Sequence, residues 1–226
     1  MPCPVVAQYL TNFGAAITVQ TGATLSVGIG GLSNQSGTLT NADTLRVDGP
    51  LNLNTGALEA RSDLTNTSIL TPGTSPVTFG GTTDQLLTLP GATLYQMPVT
   101  KVTAGANLLR LTGDLTVSNL LSLSNGLVNT KNGSTVNPLR LPNGTALSGE
   151  TTGRYVLGAL EITRNAMSGA PMDFGHGVVL NPTTTNLGTV VITRRAGLLT
   201  ADVSYGSSLL RYATATASFG GRCVVE

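Results

Sequence analysis

The chain has 226 residues, a net charge of +1 and only 10% charged residues. So thin and even a charge offers nothing to nucleic acid or to an anionic membrane surface, and the absence of Trp, with 4% aromatics, argues against a compact core of large rings. The chain is 40% apolar with 28 Gly and 35 Thr. Thr, Val, Leu, Gly, Asn and Ser spell strands and turns, and an apolar content this high and this patterned speaks against disorder.

The N-terminal stretch MPCPVVAQ places small or β-branched residues, Val5-Val6-Ala7, where a signal peptidase reads, with Gln8 as a mature start. The charged and long apolar parts of a signal peptide are missing. Residues 1–11 therefore read as a signal-peptide remnant and lead-in, with coincidence as the alternative. No apolar stretch approaches the roughly 18–20 residues of a membrane span. Cys3 and Cys223 allow a single disulfide. It would require the C-terminal strand to fold back along the molecule; if Cys3 belongs to a signal, Cys223 is a leftover thiol. Neither Cys nor the single His has a partner at metal-ligand spacing.

From Ile17 the chain falls into lines of six. ITVQTG and ATLSVG come first; LRVDGP, LNLNTG and ALEARS follow from Leu45; LRLTGD, LTVSNL and LSLSNG fill residues 109–126. A weaker beat continues through LVNTKN and GSTVNP to LRLPNG at residue 139, and residues 77–108 slip out of phase. Alternate residues of a strand share a face, so L-x-L or L-x-V puts two apolar side chains on one side. The Gly, Asn, Asp, Ser or Pro that follow bend the chain. One hexad is thus a short strand and a corner, and three make a triangular turn of about 18–20 residues that stacks on its neighbours at about 4.8 Å. A helix is excluded, because residues two apart lie on different helix faces and Gly, Asn and Thr are poor helix formers. The expected fold is all-β: a parallel β-helix (β-solenoid) over residues 12–149, with a β-sandwich as the alternative. Irregular turns with loops fit a right-handed helix better than a left-handed one. The shared phase predicts an interior lined by Val47, Leu51, Leu53, Leu111, Leu115, Val117, Leu121 and Leu123.

The hexad stops near Gly149. Residues 1–149 carry 12 Asp, Glu, Lys and Arg, and residues 150–226 carry 11 in about half the length. Longer alternating strands follow at 154–165, 177–182, 187–195 and 199–205. A solenoid end must hide its apolar columns and open strand edges, so residues 150–226 read as a β-rich C-terminal cap or small β unit. Arg164 and Asp173 are expected to pair across a hairpin there.

Two sets of motifs carry a resemblance. One is G-x-x-x-Q-L-L-x-L from Gly81 through Gln85 and Leu86, then Val99 and Lys101, then L-T-V-x-x-L-L-x-L-x-x-G from Leu115 to Gly126. The other is Y-V-L-G-x-L-x-x-T-R from Tyr155 to Arg164, D-F-G-x-G-V from Asp173 to Val178, and L-G-x-x-x-I-T-R-x-x-G from Leu187 to Gly197. Over roughly residues 12–200 the chain resembles the Thr/Gly/Asn-rich extracellular β-helical surface proteins of Bacteroidota that commonly carry type IX secretion sorting domains. The resemblance implies a secreted or cell-surface location and a passive stalk or adhesive module, with no catalytic residues, metal or cofactor. Its partners would be a surface polysaccharide or another cell-surface protein. No sorting domain is recognisable after Thr200, so the chain reads as a fragment of a longer exported protein or as a misplaced reading frame.

The chemistry-bearing residues are few. Asp173-Phe174-Gly175 spells the kinase magnesium motif without its phosphate loop, lysine strand or catalytic loop. His176 lies between glycines with no second His or nearby Cys. Asp43, Asp48, Glu59 and Asp63 are the densest acids, but Arg46 and Arg61 lie among them, and residues 14–78 contain no aromatic platform for a sugar. Solvated corners suit them better than the acid pair of a glycosidase or lyase. T-x-T at Thr38–Thr40 and at Thr65–Thr67 does not recur at a fixed period, as an ice-binding ladder would require. Asn34, Asn66, Asn132 and Asn143 open N-x-(S/T) sequons, as chance produces in such a chain. Two functions compete: a non-catalytic structural or adhesive module, and a carbohydrate-binding or carbohydrate-active β-helix with a groove of stacked acids. Ice binding is a lesser third. Asp43, Asp63 and Asp84, 20 and 21 residues apart, discriminate: stacked on one face, they would repel unless a cation or ligand stood between them.

Overall fold

The structure is a computed structural model. It describes residues 9–101, 107–151, 153–166, 169–174, 178–182 and 186–196, and the backbone of 211–212. Cys3, Cys223, Gly175, His176 and the strand expected at 199–205 lie outside the described residues.

Every described element is a strand, and no helix is long and apolar enough to cross a membrane. The strands stack in parallel as a solenoid of about seven turns, with three strand segments per turn. The third face stacks Leu25–Val27, Leu45–Val47, Leu64–Asn66, Gln85–Thr88, Leu108–Leu111 and Leu127–Asn129, each beside its counterpart in the next turn. Longer strands bend over a corner and supply the other two faces. Tyr9–Val19 lies along Gly31–Asn41, and Ala92–Thr100 lies along Leu115–Asn125, both in parallel and both with a register shift at the bend. These parallel ladders exclude the sandwich, whose neighbouring strands run antiparallel.

The register explains the hexad. On the second face Ile17, Leu39, Leu58, Val77, Met97, Leu121 and Leu147 form one apolar column through seven turns. Parallel columns on the other faces include Leu32, Leu51 and Leu70, and Leu25, Leu45 and Leu64. All eight residues expected inside are buried. At roughly 1.5–3 kcal/mol per fully buried Leu or Val, these columns are the main driving force of the fold.

Polar side chains turned inward at corners satisfy carbonyls of the adjacent turn. Asn34 donates to Ala57 O at 2.9 Å and accepts from Asn12 at 2.8 Å. Asn66 donates to Val47 O and Gly49 O at 2.9 and 2.8 Å, and the Ser75 hydroxyl donates to Leu53 O at 2.9 Å. Asn137 and Thr145 do the same for Leu111 O and Val117 O, both at 3.1 Å. Buried carbonyls without such donors would cost about 1–3 kcal/mol each.

At the C-terminal end Val156–Arg164 completes a turn. It begins beside Leu127–Asn129 and continues beside Leu139–Leu141, still in parallel. Val190–Ala196 then lies antiparallel along it, from Gly158↔Ala196 to Arg164↔Val190. Glu150 and Arg194 fasten this layer with a bidentate ion pair at 2.5 and 2.6 Å, both side chains buried. Glu150 Oε1 also accepts the Val156 N–H at 3.1 Å.

Asp173 lies near enough to Arg164 for its charge to act on the guanidinium, as the expected pairing requires. The Arg164 guanidinium donates to Thr145 O and Thr163 O and stands 5.9 Å from the Phe174 ring centroid. Burial lowers its pKa, and the Asp173 charge opposes that shift.

Candidate groove at the corner between the second and third faces

One corner of the stack gathers much of the chain's ionisable chemistry. It lies where each turn leaves the second face for the third. A groove of about 580 Å³ runs along it, lined by Thr21, Asp43, Glu59, Arg61, Thr83 and Thr100 among others, so it crosses about five turns. Short connections and Gly80-Gly81 leave the backbone close to the surface here. Among the described residues no aromatic side chain lines it.

The acids divide. Asp43 and Glu59 line the groove with Arg61, whereas Asp48 sits past the third face, bonded to Arg46 at 2.7 Å. Glu59 accepts from Arg61 Nε at 2.7 Å, which raises the Arg61 pKa. Asp43, Asp63 and Asp84 all lie on the approach to the third face, but not at one register step. Counted against the aligned Leu45, Leu64 and Leu87, they stand two, one and three residues ahead. Each accepts a backbone N–H from an adjacent turn: Asp43 from Gly22 at 2.8 Å, Asp63 from Leu86 at 2.7 Å, Asp84 from Leu108 at 3.0 Å. The donated N–H groups of Gly22 and Thr44 hold Asp43 below the usual carboxylate range; Leu108 N–H and then Arg110 do the same for Asp84. These carboxylates therefore act as corner clamps, each with one oxygen directed at an N–H group of the adjacent turn.

Behind the same corner lies Lys101, fully buried, with Nζ donating to Thr83 O at 2.8 Å. Desolvation pushes its pKa down to about 8, against the attraction of Asp84 and Asp63. The motif pairing of Lys101 with Gly126 now has a reason. A Cβ at Gly126, whose φ is +84°, would fall 2.6 Å from both Cβ and Cγ of Lys101. The lysine stem fills the place that a side chain at 126 would take. Burial of a lysine in a polar stretch leaves no sequence signal of its own; the L-x-L-x-x-G line ending at Gly126 is the nearest trace.

The remaining candidates resolve as structure. Phe174 is a buried core ring rather than part of a nucleotide site. Asn34 and Asn66 are buried and bonded to the neighbouring turn, so their sequons are closed to a glycan, while Asn132 and Asn143 are exposed. The outward column beside Thr18 and Thr40 continues as Glu59, Thr78, Pro98, Ser122 and Ser148. Glu59 and Pro98 interrupt the threonine ladder. Among the described residues no group of three His, Cys, Asp or Glu is placed to hold a metal ion.

The fold and the groove together define a parallel β-solenoid with a structural, backbone-clamping corner. Compared with known proteins, the chain matches no family model, no curated protein and no solved structure.

Proposed function

We propose that this protein is a non-catalytic structural or adhesive module of the cell surface, of the Bacteroidota type that its motifs resemble. The observation that carries the reading is the commitment of the corner carboxylates. Asp43, Asp63 and Asp84 each accept a backbone N–H of an adjacent turn, and Glu59 is paired with Arg61. An acid–base pair needs groups free to exchange protons with a substrate. A rod of stacked turns gives reach and stiffness, which suits a spacer that presents a binding partner away from the cell. Two assays test this. Antibody against the folded chain should label intact cells of the source organism; labelling only after permeabilisation overturns the location. Incubation with a polysaccharide panel should release no reducing ends or unsaturated uronates; release abolished by Glu59→Gln or Asp43→Asn overturns the non-catalytic reading.

The groove favours a second reading, carbohydrate binding without cleavage. Its Thr, Ser, Glu and Arg side chains span several turns, as hydroxyl-bearing sugar chains require. Titration with soluble polysaccharides should then show binding that Arg61→Ala removes.

A further inference from the structure

The two ends of the solenoid differ. At the C-terminal end Leu160 and Ile162 are fully buried beneath the antiparallel strand Val190–Ala196. At the other end, among the described residues, Tyr9–Val19 pairs on one side only, with Gly31–Asn41. Leu10 and Ile17, which begin two inward columns, are only partly buried, and Phe13 and Tyr9 are 81% and 58% exposed. The edge sequence YLTNFGAAITV contains no charged residue and no proline, two of the devices that keep open strand edges apart.

We infer that this edge is an interface for a second copy of the chain, joined end to end by antiparallel pairing of the two Tyr9–Val19 strands. Three observations select that occupant. An open row of backbone N–H and C=O groups calls for another strand. The edge is neutral, so like meets like without repulsion. And its geometry is self-complementary. The strand bends at 13–15, with 9–12 on the first face and 16–19 on the second. A two-fold axis between Phe13 and Gly14 exchanges the two halves and sets Leu10 opposite the partner's Ile17. Both face inward, since they align with the buried Leu32 and Leu39. The apolar columns then run through the junction. A slip of one residue would oppose Leu10 to the outward Thr18, so the register is fixed. This pairing uses the same edge of both copies, so it closes on itself and the assembly stops at two.

Sedimentation equilibrium from low micromolar to near-millimolar protein, under reducing conditions, tests the inference. The parent should associate to a dimer and no further. Phe13→Lys places two cations beside the two-fold axis while altering a side chain that is exposed in one copy. It should leave the melting temperature of dilute protein unchanged and weaken association at least tenfold. Val179→Lys, an exposed change in the C-terminal layer, should dimerise like the parent. A parent that stays monomeric throughout, association into open-ended species, or equal dimerisation by Phe13→Lys and the parent would each overturn it.

Discussion

The turns between Leu32 and Val77 and the later ones are built on different rules. Leu32, Leu51 and Leu70 stand 19 residues apart, as do Leu39, Leu58 and Val77. Here three lines of six plus one residue make a turn. Beyond Phe79 the repeat lengthens: Leu64 to Leu87 is 23 residues, Leu87 to Leu111 is 24 and Leu121 to Leu147 is 26. The strand registers stay parallel, so the added residues go into corners. The enlarged corners contain polar groups that need partners, and the buried ions appear here: Lys101 against Thr83 O, and Glu150 against Arg194. The early turns contain no buried charge. Apolar phase decides which side chains enter the stack, and turn length decides how much polar chemistry must be solved inside it.

The most damaging change should be a charge in a column that both halves share. Leu121→Asp puts a carboxylate between Met97 and Leu147 with no partner. It costs several kcal/mol or forces protonation, against a typical total stability of about 5–15 kcal/mol. Thr116→Asp, on the outer side of the same strand and aligned with Arg140, should cost no more than about 1 kcal/mol. Thermal melts of the two variants beside the parent check this. Because each turn templates the next, Leu121→Asp should loosen both halves; equal losses at the two positions would contradict the inward and outward assignment.

Next in size is Glu150→Ala, which should destabilise the C-terminal layer by about 3–5 kcal/mol by leaving the Arg194 cation buried without its carboxylate. Amide exchange should rise in Val190–Ala196 and in Val156–Arg164 while Leu45–Val47 keeps the parent's protection. A uniform rise along the chain would mean that the layer and the turns unfold as one unit.

Lys101→Met sharpens the comparison through pH. Folded Lys101 titrates near 8 and the unfolded side chain near about 10.4. Between those values the unfolded state binds more protons, so the parent's stability should rise with pH across that window. Below it the full desolvation penalty is present. Lys101→Met should flatten this rise. Denaturant melts at a series of pH values read it directly, and an equal slope in parent and variant would show that Lys101 is solvated in the folded state.

The early turns were legible because each strand line there carries a period-2 apolar pair and a corner residue. The phase of Val47, Leu51 and Leu53 could be read without any contact information, and that of Leu115, Val117, Leu121 and Leu123 likewise. The corner chemistry was not legible. Asp43, Asp63 and Asp84 look equally spaced, but enlarged turns shift each to a different register step, which no count of residues reveals. Glu150 and Arg194 lie 44 residues apart, and only the fold-back of Val190–Ala196 brings them together. Arg164 also donates to the carbonyl of Thr145, 19 residues earlier in the chain, a contact that no local spacing announces.

The central claim is the parallel stacking itself, and cysteine pairs test it in a background with Cys3 and Cys223 changed to Ser. Arg46 and Thr65 are aligned on adjacent turns with outward side chains; Ser26 lies in the same column one turn further away. Cα atoms of adjacent strands stand about 5 Å apart and those two turns apart about twice that, and disulfides require less than about 7 Å. Under mild oxidation Arg46→Cys with Thr65→Cys should form a disulfide, read by mass spectrometry of proteolytic fragments, and Ser26→Cys with Thr65→Cys should not. A folded protein that links 26 to 65 as readily as 46 to 65, or that links neither, would contradict the solenoid.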